Sequence, residues 1–147
     1  TKEICSIMAS IYDYIYSKLS NASSVTALTS TRIYPQVAPQ AEARPLIVFN
    51  VISNVPTNTK SGGSTLDAIR VQITCLADSV DEYNGQDKIN AIGEAVRALF
   101  EFIQNDTAAS VTIQQSFFES ESNAFDQTGG QDGTYMKFMD FIFWQKR

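Results

Sequence analysis

The sequence predicts an α/β protein of the α+β type, in which two main α-helices pack on a mainly antiparallel β-sheet. Apolar residues recur at steps of three and four in two segments, which is typical of amphipathic helices. In four other segments they alternate with polar residues or form continuous runs, which is typical of strands. The 147 residues have the length of one domain, so we expect a single domain spanning residues 1–147.

The first striped segment predicts a helix from Lys2 to Leu19. Its apolar positions are Ile4, Met8, Ile11, Ile15 and Leu19. A polar stretch at residues 20–24 is suited to ending this helix. Pro35, Pro39 and Pro45 then exclude a regular helix, because each lacks an amide donor and restricts the residue before it. We expect an extended connector there, with a brief edge strand at residues 32–34.

The next two apolar segments predict an antiparallel hairpin. Residues 46–52 are a nearly continuous run of β-branched and aromatic side chains, and residues 69–75 alternate apolar with polar side chains. The polar loop between them, from Asn54 to Ser64, is longer than a usual hairpin loop and is a candidate contact loop. Its Gly62-Gly63 pair lies near Lys60, but the order of residues that a P-loop requires is absent.

A second helix is predicted after this hairpin. Residues 78–82 combine capping residues with acids that favour a helix start. An apolar stripe follows from Ile89 to Ile103, interrupted by Gly93, which weakens a helix. Asn105-Asp106 tolerates a left-handed backbone and is expected to close the helix.

The last third predicts two strands, Val111–Glu119 and Tyr135–Trp144. In the first, Val111, Ile113 and Gln115 alternate with Thr112, Gln114 and Ser116. In the second, one face carries Met136, Phe138, Asp140, Ile142 and Trp144, and the other carries Tyr135, Lys137, Met139, Phe141 and Phe143. Apolar side chains on both faces indicate a central strand or one that meets another subunit.

The connection from Ser120 to Gly133 is rich in turn residues and is the second candidate contact loop. Its candidate contact residues are Asn123, Asp126, Gly129, Gly130 and Asp132. Oxygen ligands for calcium cluster here, at Glu119, Glu121, Asp126 and Asp132, but the spacing of an EF-hand is missing. We therefore expect no metal site.

Composition also argues against catalysis. The chain has no histidine, which excludes Ser–His, Cys–His and His–metal arrangements. Neither Cys5 nor Cys75 has a basic neighbour in sequence that would favour the thiolate, and the acids lie mostly at helix starts and in polar loops. We expect no catalytic site and no cofactor, although a hydrolase or transferase with a carboxylate base stays possible until the pockets are known.

The net charge is −5, which supplies no global attraction for phosphate backbones. The sequence contains no secretory signal pattern and no run of 18 apolar residues. We expect a protein that is made in a cytoplasm. We expect it neither to bind nucleic acid tightly nor to act at a membrane.

The middle of the chain resembles the tail-terminator, or tail-completion, family of long-tailed bacteriophages and gene transfer particles. The similar stretches are Arg32-Ile33-Tyr34-Pro35, Ala38-Pro39, Arg44-Pro45 with Ile47-Val48-Phe49, Thr59-Lys60-Ser61-Gly62 with Leu66-Asp67, Arg70-Val71-Gln72-Ile73, and Ala95-Val96-Arg97-Ala98-Leu99. They cover roughly residues 30 to 100, whereas the flanking parts agree only in general pattern.

The resemblance implies a structural virion protein, located at the head-proximal end of the tail and made in the host cytoplasm. It implies a homo-oligomeric ring, usually a hexamer, that caps the tail tube, ends tube polymerisation and offers an interface for head joining. The implied partners are other copies of the chain, the major tail tube protein and the head-completion (stopper) protein, with DNA only in transit through a central channel.

On this resemblance the residues of the first loop are the candidate tube or channel contacts. They are Thr57, Asn58, Thr59, Lys60, Ser61, Gly62 and Gly63. A non-enzymatic adaptor or chaperone-like binding module is the alternative function.

Overall fold

The structure is a computed structural model that describes residues 10–30, 32–36, 46–56, 60, 62, 66–78, 84–126 and 133–146. Three helices and six strands lie within these residues. The helices are α1 (Ile11–Asn21), α2 (Ser23–Thr29) and α3 (Asn84–Phe100), and the strands are β1 (Ile33–Pro35), β2 (Leu46–Pro56), β3 (Leu66–Asp78), β4 (Gln104–Ala108), β5 (Val111–Asp126) and β6 (Thr134–Lys146). The predicted α+β class is confirmed, although the described residues form three helices where two main helices were predicted.

The strands form one sheet in the order β1-β2-β3-β6-β5-β4. It is a mixed sheet and not the mainly antiparallel one that we predicted, because β1 runs parallel to β2. The ten residues between Pro35 and Leu46 exceed a tight hairpin turn, and a parallel neighbour requires such a longer return of the chain. The predicted antiparallel pairing of β2 with β3 is confirmed.

Helix α1 is shorter than predicted. Ser10 has an extended backbone, and its N–H donates a hydrogen bond of 3.0 Å to the carboxylate of Asp13 in the first turn. This capping contact marks a helix start, so no single helix runs from Lys2 to Leu19. Residues 1–9 lie outside the described part of the chain.

The core lies between the helices and one face of the sheet, which we call the helix-covered face. Its largest fully buried side chains include Tyr14 and Ile15 of α1, Phe49 of β2, Ile92 and Phe100 of α3, and Phe141 and Phe143 of β6. Phe100 makes edge-to-face contacts with both Phe141 and Phe143, at centroid distances of 6.0 and 5.5 Å. Burial of these aromatic side chains fixes α3 across the centre of the sheet.

The sheet curves around α1. Tyr12 donates a hydrogen bond to Asn50 of β2, whereas Tyr14, two residues later, donates one to Asp106 of β4. Because β2 and β4 are separated by three strands, both contacts are possible only if the two sides of the sheet bend toward the helix.

Helix α3 buries the predicted stripe, including Ile89, Ile92 and Val96. Gly93 faces β6, where an added Cβ would lie 2.7 Å from Cδ of Lys137. This close approach explains why a glycine, which lowers helix propensity, occupies position 93 of α3.

The helix ends at Phe100, and Asn105-Asp106 belongs to β4 instead of closing the helix. Asn105 has a positive φ, of 50°, but within a strand. A β-bulge at Gln114 then shifts the alternation of β5, so Ser116, and not Gln115, turns into the core.

The most consequential correction concerns the predicted loop from Ser120 to Gly133. Strand β5 continues to Asp126 and β6 begins at Thr134, with paired residues from Ser120↔Asp140 to Asp126↔Thr134. Residues 120–126, most of which are polar, form a strand because β6 supplies a hydrogen-bonding partner along their whole length. Strand β6 lies between β3 and β5, so it is a central strand, one of the two alternatives that its apolar faces indicated.

Across the described residues, every helix is too short or too polar to span a bilayer.

Candidate functional site

The first candidate loop, between β2 and β3, is represented by two described residues. Lys60 and Gly62 are both exposed, and a Cβ added at Gly62 would have no atom within 4 Å. The other candidates of this loop, Thr57, Asn58, Thr59, Ser61 and Gly63, lie outside the described residues. The two described positions leave room for a bound partner, as a contact loop requires.

The second candidate group divides between a strand and undescribed residues. Asn123 is exposed and Asp126 ends β5, so both are strand residues and not loop residues as predicted. Gly129, Gly130 and Asp132 lie outside the described part. Beside them, the ring of Phe125 packs on Tyr135, with centroids 4.7 Å apart, and so ties the ends of β5 and β6 together.

The two hairpin tips lie at opposite ends of the sheet. Leu66, which follows the β2–β3 tip, pairs with Lys146, whereas Asp78, at the other end of β3, pairs with Thr134, which follows the β5–β6 tip. The 13 residues of β3 therefore separate the tips, a length of about 40 Å at the usual rise per strand residue. The strand ends that lead to the two tips are therefore far apart.

The sheet face opposite the helices is a further candidate surface, which we call the open face. No helix among the described elements covers it. Its half-buried or exposed apolar residues include Met136, Phe138, Ile142 and Trp144 of β6, Leu76 of β3, and Phe117 of β5. This patch is the second apolar face of β6 that the alternation predicted.

An ion pair lies in the middle of the open face. Arg70 donates to Oδ2 of Asp140 at 3.1 Å, and Ser120 lies 3.5 Å from the same oxygen. Oδ1 of Asp140 is buried and has no hydrogen-bond partner among the described residues. The alternation of β6 predicts Asp140 on this face, but nothing in the local sequence indicates Arg70 as its partner.

An open cleft lies on the helix-covered face between α3 and β5. It is lined by Asn90, Gly93, Glu94, Arg97, Glu121 and Lys137. The Lys137 side chain passes beneath Gly93, and its Nζ is 3.4 Å from Glu121. Arg97 pairs with Glu101 at 3.0 Å and stacks over the ring of Phe118. The cleft has balanced charges that are mostly paired already, an arrangement that favours no small ionic ligand.

A buried tyrosine connects α1 to β4. The Tyr14 hydroxyl donates to Oδ2 of Asp106 at 2.7 Å, and Nζ of Lys18 lies 2.9 Å from the same oxygen. The hydrogen bond from Lys18, followed by that from Tyr14, lowers the pKa of Asp106, whereas burial and the nearby carboxylate raise the pKa of Tyr14. This network holds the edge strand β4 against the helix.

Among the described residues there is neither an accessible thiol nor a cluster of metal ligands. Cys75 is fully buried, and burial raises the pKa of its thiol to about 12, although the neighbouring Lys137 ammonium lowers it. No group of three or more acidic or cysteine side chains within the described ranges is arranged to hold a metal ion. The features that stand out are the hairpin tips, strand edges and the open face, all of which suit protein contacts.

Comparison with known proteins gives a family and a fold. The family model "Tail completion protein gp17" matches residues 13–146. A solved structure titled "Virion of native gene transfer agent (GTA) particle" is similar to this chain with a TM-score of 0.61 and 13% identity, over 89% of this chain and 91% of that one. A second solved structure has a TM-score of 0.52 and 14% identity, over 92% of this chain and 96% of its own. At such identities these two structures show the fold alone.

A search of curated proteins finds no match. The family match nevertheless spans most of the sequence and agrees with the resemblance carried by residues 30–100. The chain therefore belongs to the tail completion protein gp17 family and is a structural protein of a phage or phage-like tail.

Proposed function

We propose that this chain forms a hexameric ring that caps the head-proximal end of the tail tube, ends tube polymerisation and provides the interface for head joining. DNA passes through the centre of the ring in this proposal. The partners are other copies of the chain, the major tail tube protein and the head-completion protein, and the site of action is the virion.

The observation that carries the proposal is the position of the two hairpin tips at opposite ends of the sheet. A terminator acts between two assemblies, the tube below and the head complex above. A subunit whose tips are about 40 Å apart along β3 can touch one assembly with each tip. On the basis of the resemblance we assign the tube contact to residues 57–63. We assign the head-side contact to the β5–β6 tip.

The charge of the chain is compatible with a DNA channel. A net charge of −5 gives little attraction for phosphates, so DNA in transit is not held. The exposed apolar side chains also support assembly, since Val55, Phe117 and Phe125 are 59%, 44% and 46% exposed and lie on or beside the strands that lead to the tips. Contacts with neighbouring subunits would cover such side chains.

Native mass spectrometry and electron microscopy of the purified protein, alone and with tail tubes, test the ring. A hexamer of 16.2 kDa subunits has a mass of about 97 kDa and would appear as a closed ring. Monomer at high concentration under both conditions would refute the ring and favour an adaptor or chaperone-like module.

Matched changes at the two tips test the assignment of contacts. The double variant Lys60→Ala with Gly62→Ala changes exposed residues of the first tip, and Asn123→Ala changes an exposed residue near the second. We expect the first variant to yield tails of irregular length and the second to yield normal tails that join heads poorly. Normal length and normal joining in both variants would show that these tips are not the contacts.

A further inference from the structure

The edges of the sheet are not equally protected against pairing with another strand. An edge strand exposes unpaired N–H and C=O groups, and proteins blunt such edges with short strands, prolines, bulges or irregular backbone. In this sheet β1 and β4 are short, so the parts of β2 and β5 that extend past them are edges as well.

Three of the four edge segments are blunted. Strand β1 has three residues and ends at Pro35, which is followed by Gln36 with φ of 67°. The free part of β2 contains a bulge at Ile52 and ends at Pro56, and the hydroxyl of Tyr12 already accepts the N–H of Val51. Strand β4 contains Asn105 with φ of 50°. Each feature disrupts the regular ladder that an added strand needs.

The fourth edge segment carries none of these features. Beyond the bulge at Glu119, residues Ser120–Asp126 of β5 pair one to one with Asp140–Thr134 of β6, without proline, glycine or positive φ. No described strand lies on their outer side, because β4 pairs with β5 only as far as Gln115. Ser120 to Phe125 are all exposed. This regular stretch of seven residues is the free edge.

We propose that the free edge binds an extended segment of a partner protein, which adds a strand to the sheet beside β5. The proposal rests on the proposed function, since it names how this tail protein holds one of its neighbours. Backbone hydrogen bonds to the alternate residues of the free edge whose N–H and C=O groups face outward would supply the affinity, and the alternating side chains would supply the selectivity.

The side chains around the free edge define the partner segment. On the open face Ser122 and Ala124 are small and leave their neighbours Phe138 and Met136 half-buried, so an apolar side chain of the added strand can cover these two residues. On the other face Glu94 lines the adjoining cleft, and Glu119 lies at the bulge that precedes the free edge. Neither carboxylate is paired with a base among the described residues. The partner segment therefore alternates apolar residues with Lys or Arg.

Hydrogen exchange on the free protein and on purified tails that contain it provides the main test. We expect the amides of residues 120–126 to exchange freely in the isolated protein wherever they face outward, and at least about tenfold more slowly in tails. Equal exchange in both states would overturn the proposal. If the chain were not found in tails at all, the proposed function would fail first, so the two failures are distinguishable.

Proline substitution tests the backbone contact without a change of charge. Neighbouring strand residues direct their N–H groups to opposite sides, so one of Ser122→Pro and Asn123→Pro removes an outward N–H and the other removes a bond to β6. Thermal unfolding identifies the tolerated variant. We expect that variant to lose slow exchange in tails, whereas Ser122→Ala, which keeps the amide, retains it.

A photo-crosslinking amino acid at position 122 identifies the occupant in assembled tails. A cross-link to an extended segment of another tail protein, with alternating apolar and basic residues, supports the proposal. A cross-link to a second copy of this chain, or to a helical segment, overturns it.

Discussion

Replacing Ser116 with alanine tests whether one buried hydroxyl connects the end of α3 to the sheet. Its Oγ donates to the carbonyl oxygen of Phe100 at 2.6 Å and accepts the N–H of Ile103 at 2.9 Å. Ser116 is 0% exposed, so water cannot easily replace the hydroxyl. The variant leaves a buried carbonyl and a buried N–H without their partner.

Each unpaired buried group costs about 1–3 kcal/mol, and partial relaxation brings the expected loss for Ser116→Ala to about 3 kcal/mol. For a chain of this length such a loss lowers Tm by about 6–12 °C. Urea unfolding followed by the fluorescence of Trp144 measures the free energy, and an unchanged m-value would show that the unfolding transition itself is intact.

Ser122→Ala is the matched control, because it makes the same chemical change on the same strand at an exposed position. We expect it to stay within about 0.5 kcal/mol of the parent protein. A loss below about 1 kcal/mol for Ser116→Ala, or equal losses for the two variants, would refute the proposed connection.

The Asp106 network, the Gly93 contact and the burial of Cys75 each have a measurable consequence. The lowered pKa of Asp106 contributes stability that is complete above the ordinary aspartate pKa of 3.8 and is lost as the pH falls through the folded-state pKa. The stability difference between the parent and Asp106→Asn should therefore shrink on acidification below 3.8, and a constant difference across the titration would contradict it. Gly93→Ala should destabilise the protein despite its higher helix propensity, and Lys137→Ala in the same chain should reduce that penalty, since Cβ would meet Cδ of Lys137 at 2.7 Å. Additive losses would exclude the contact. In a variant whose other cysteine is serine, Cys75 should react with a maleimide at pH 8 only after unfolding, because it is fully buried. Rapid labelling of the folded protein would disprove this.

The local predictions that succeeded depend on residues close in sequence. The alternation at residues 69–75, the run at residues 46–52 and the stripe from Ile89 to Phe100 each create an apolar face that must be buried, and all three elements are present. The exclusion of histidine-based chemistry also needs only the composition.

The local predictions that failed concern residues whose conformation depends on a distant partner. Asn105 has the left-handed backbone that the predicted helix cap would need, but pairing with β5 makes it part of β4 instead of a helix cap. The alternation of β5 predicts Ser116 on the polar face, but the bulge at Gln114 turns its side chain into the core. Neither the register nor the bulge leaves a signal in local periodicity.

The sequence by itself determined the helix and strand propensities, the polar character of the tips and the exclusion of histidine-based chemistry. Only the tertiary structure decided that residues 120–126 are a strand and that the two tips lie at opposite ends of the sheet. It also decided that the free edge has a regular strand backbone with no neighbouring strand among the described residues. The physical reason is that strand pairing is non-local. Ser, Asn and Asp residues favour turns in isolation, and they form a strand here because β6 pairs with every residue from Ser120 to Asp126.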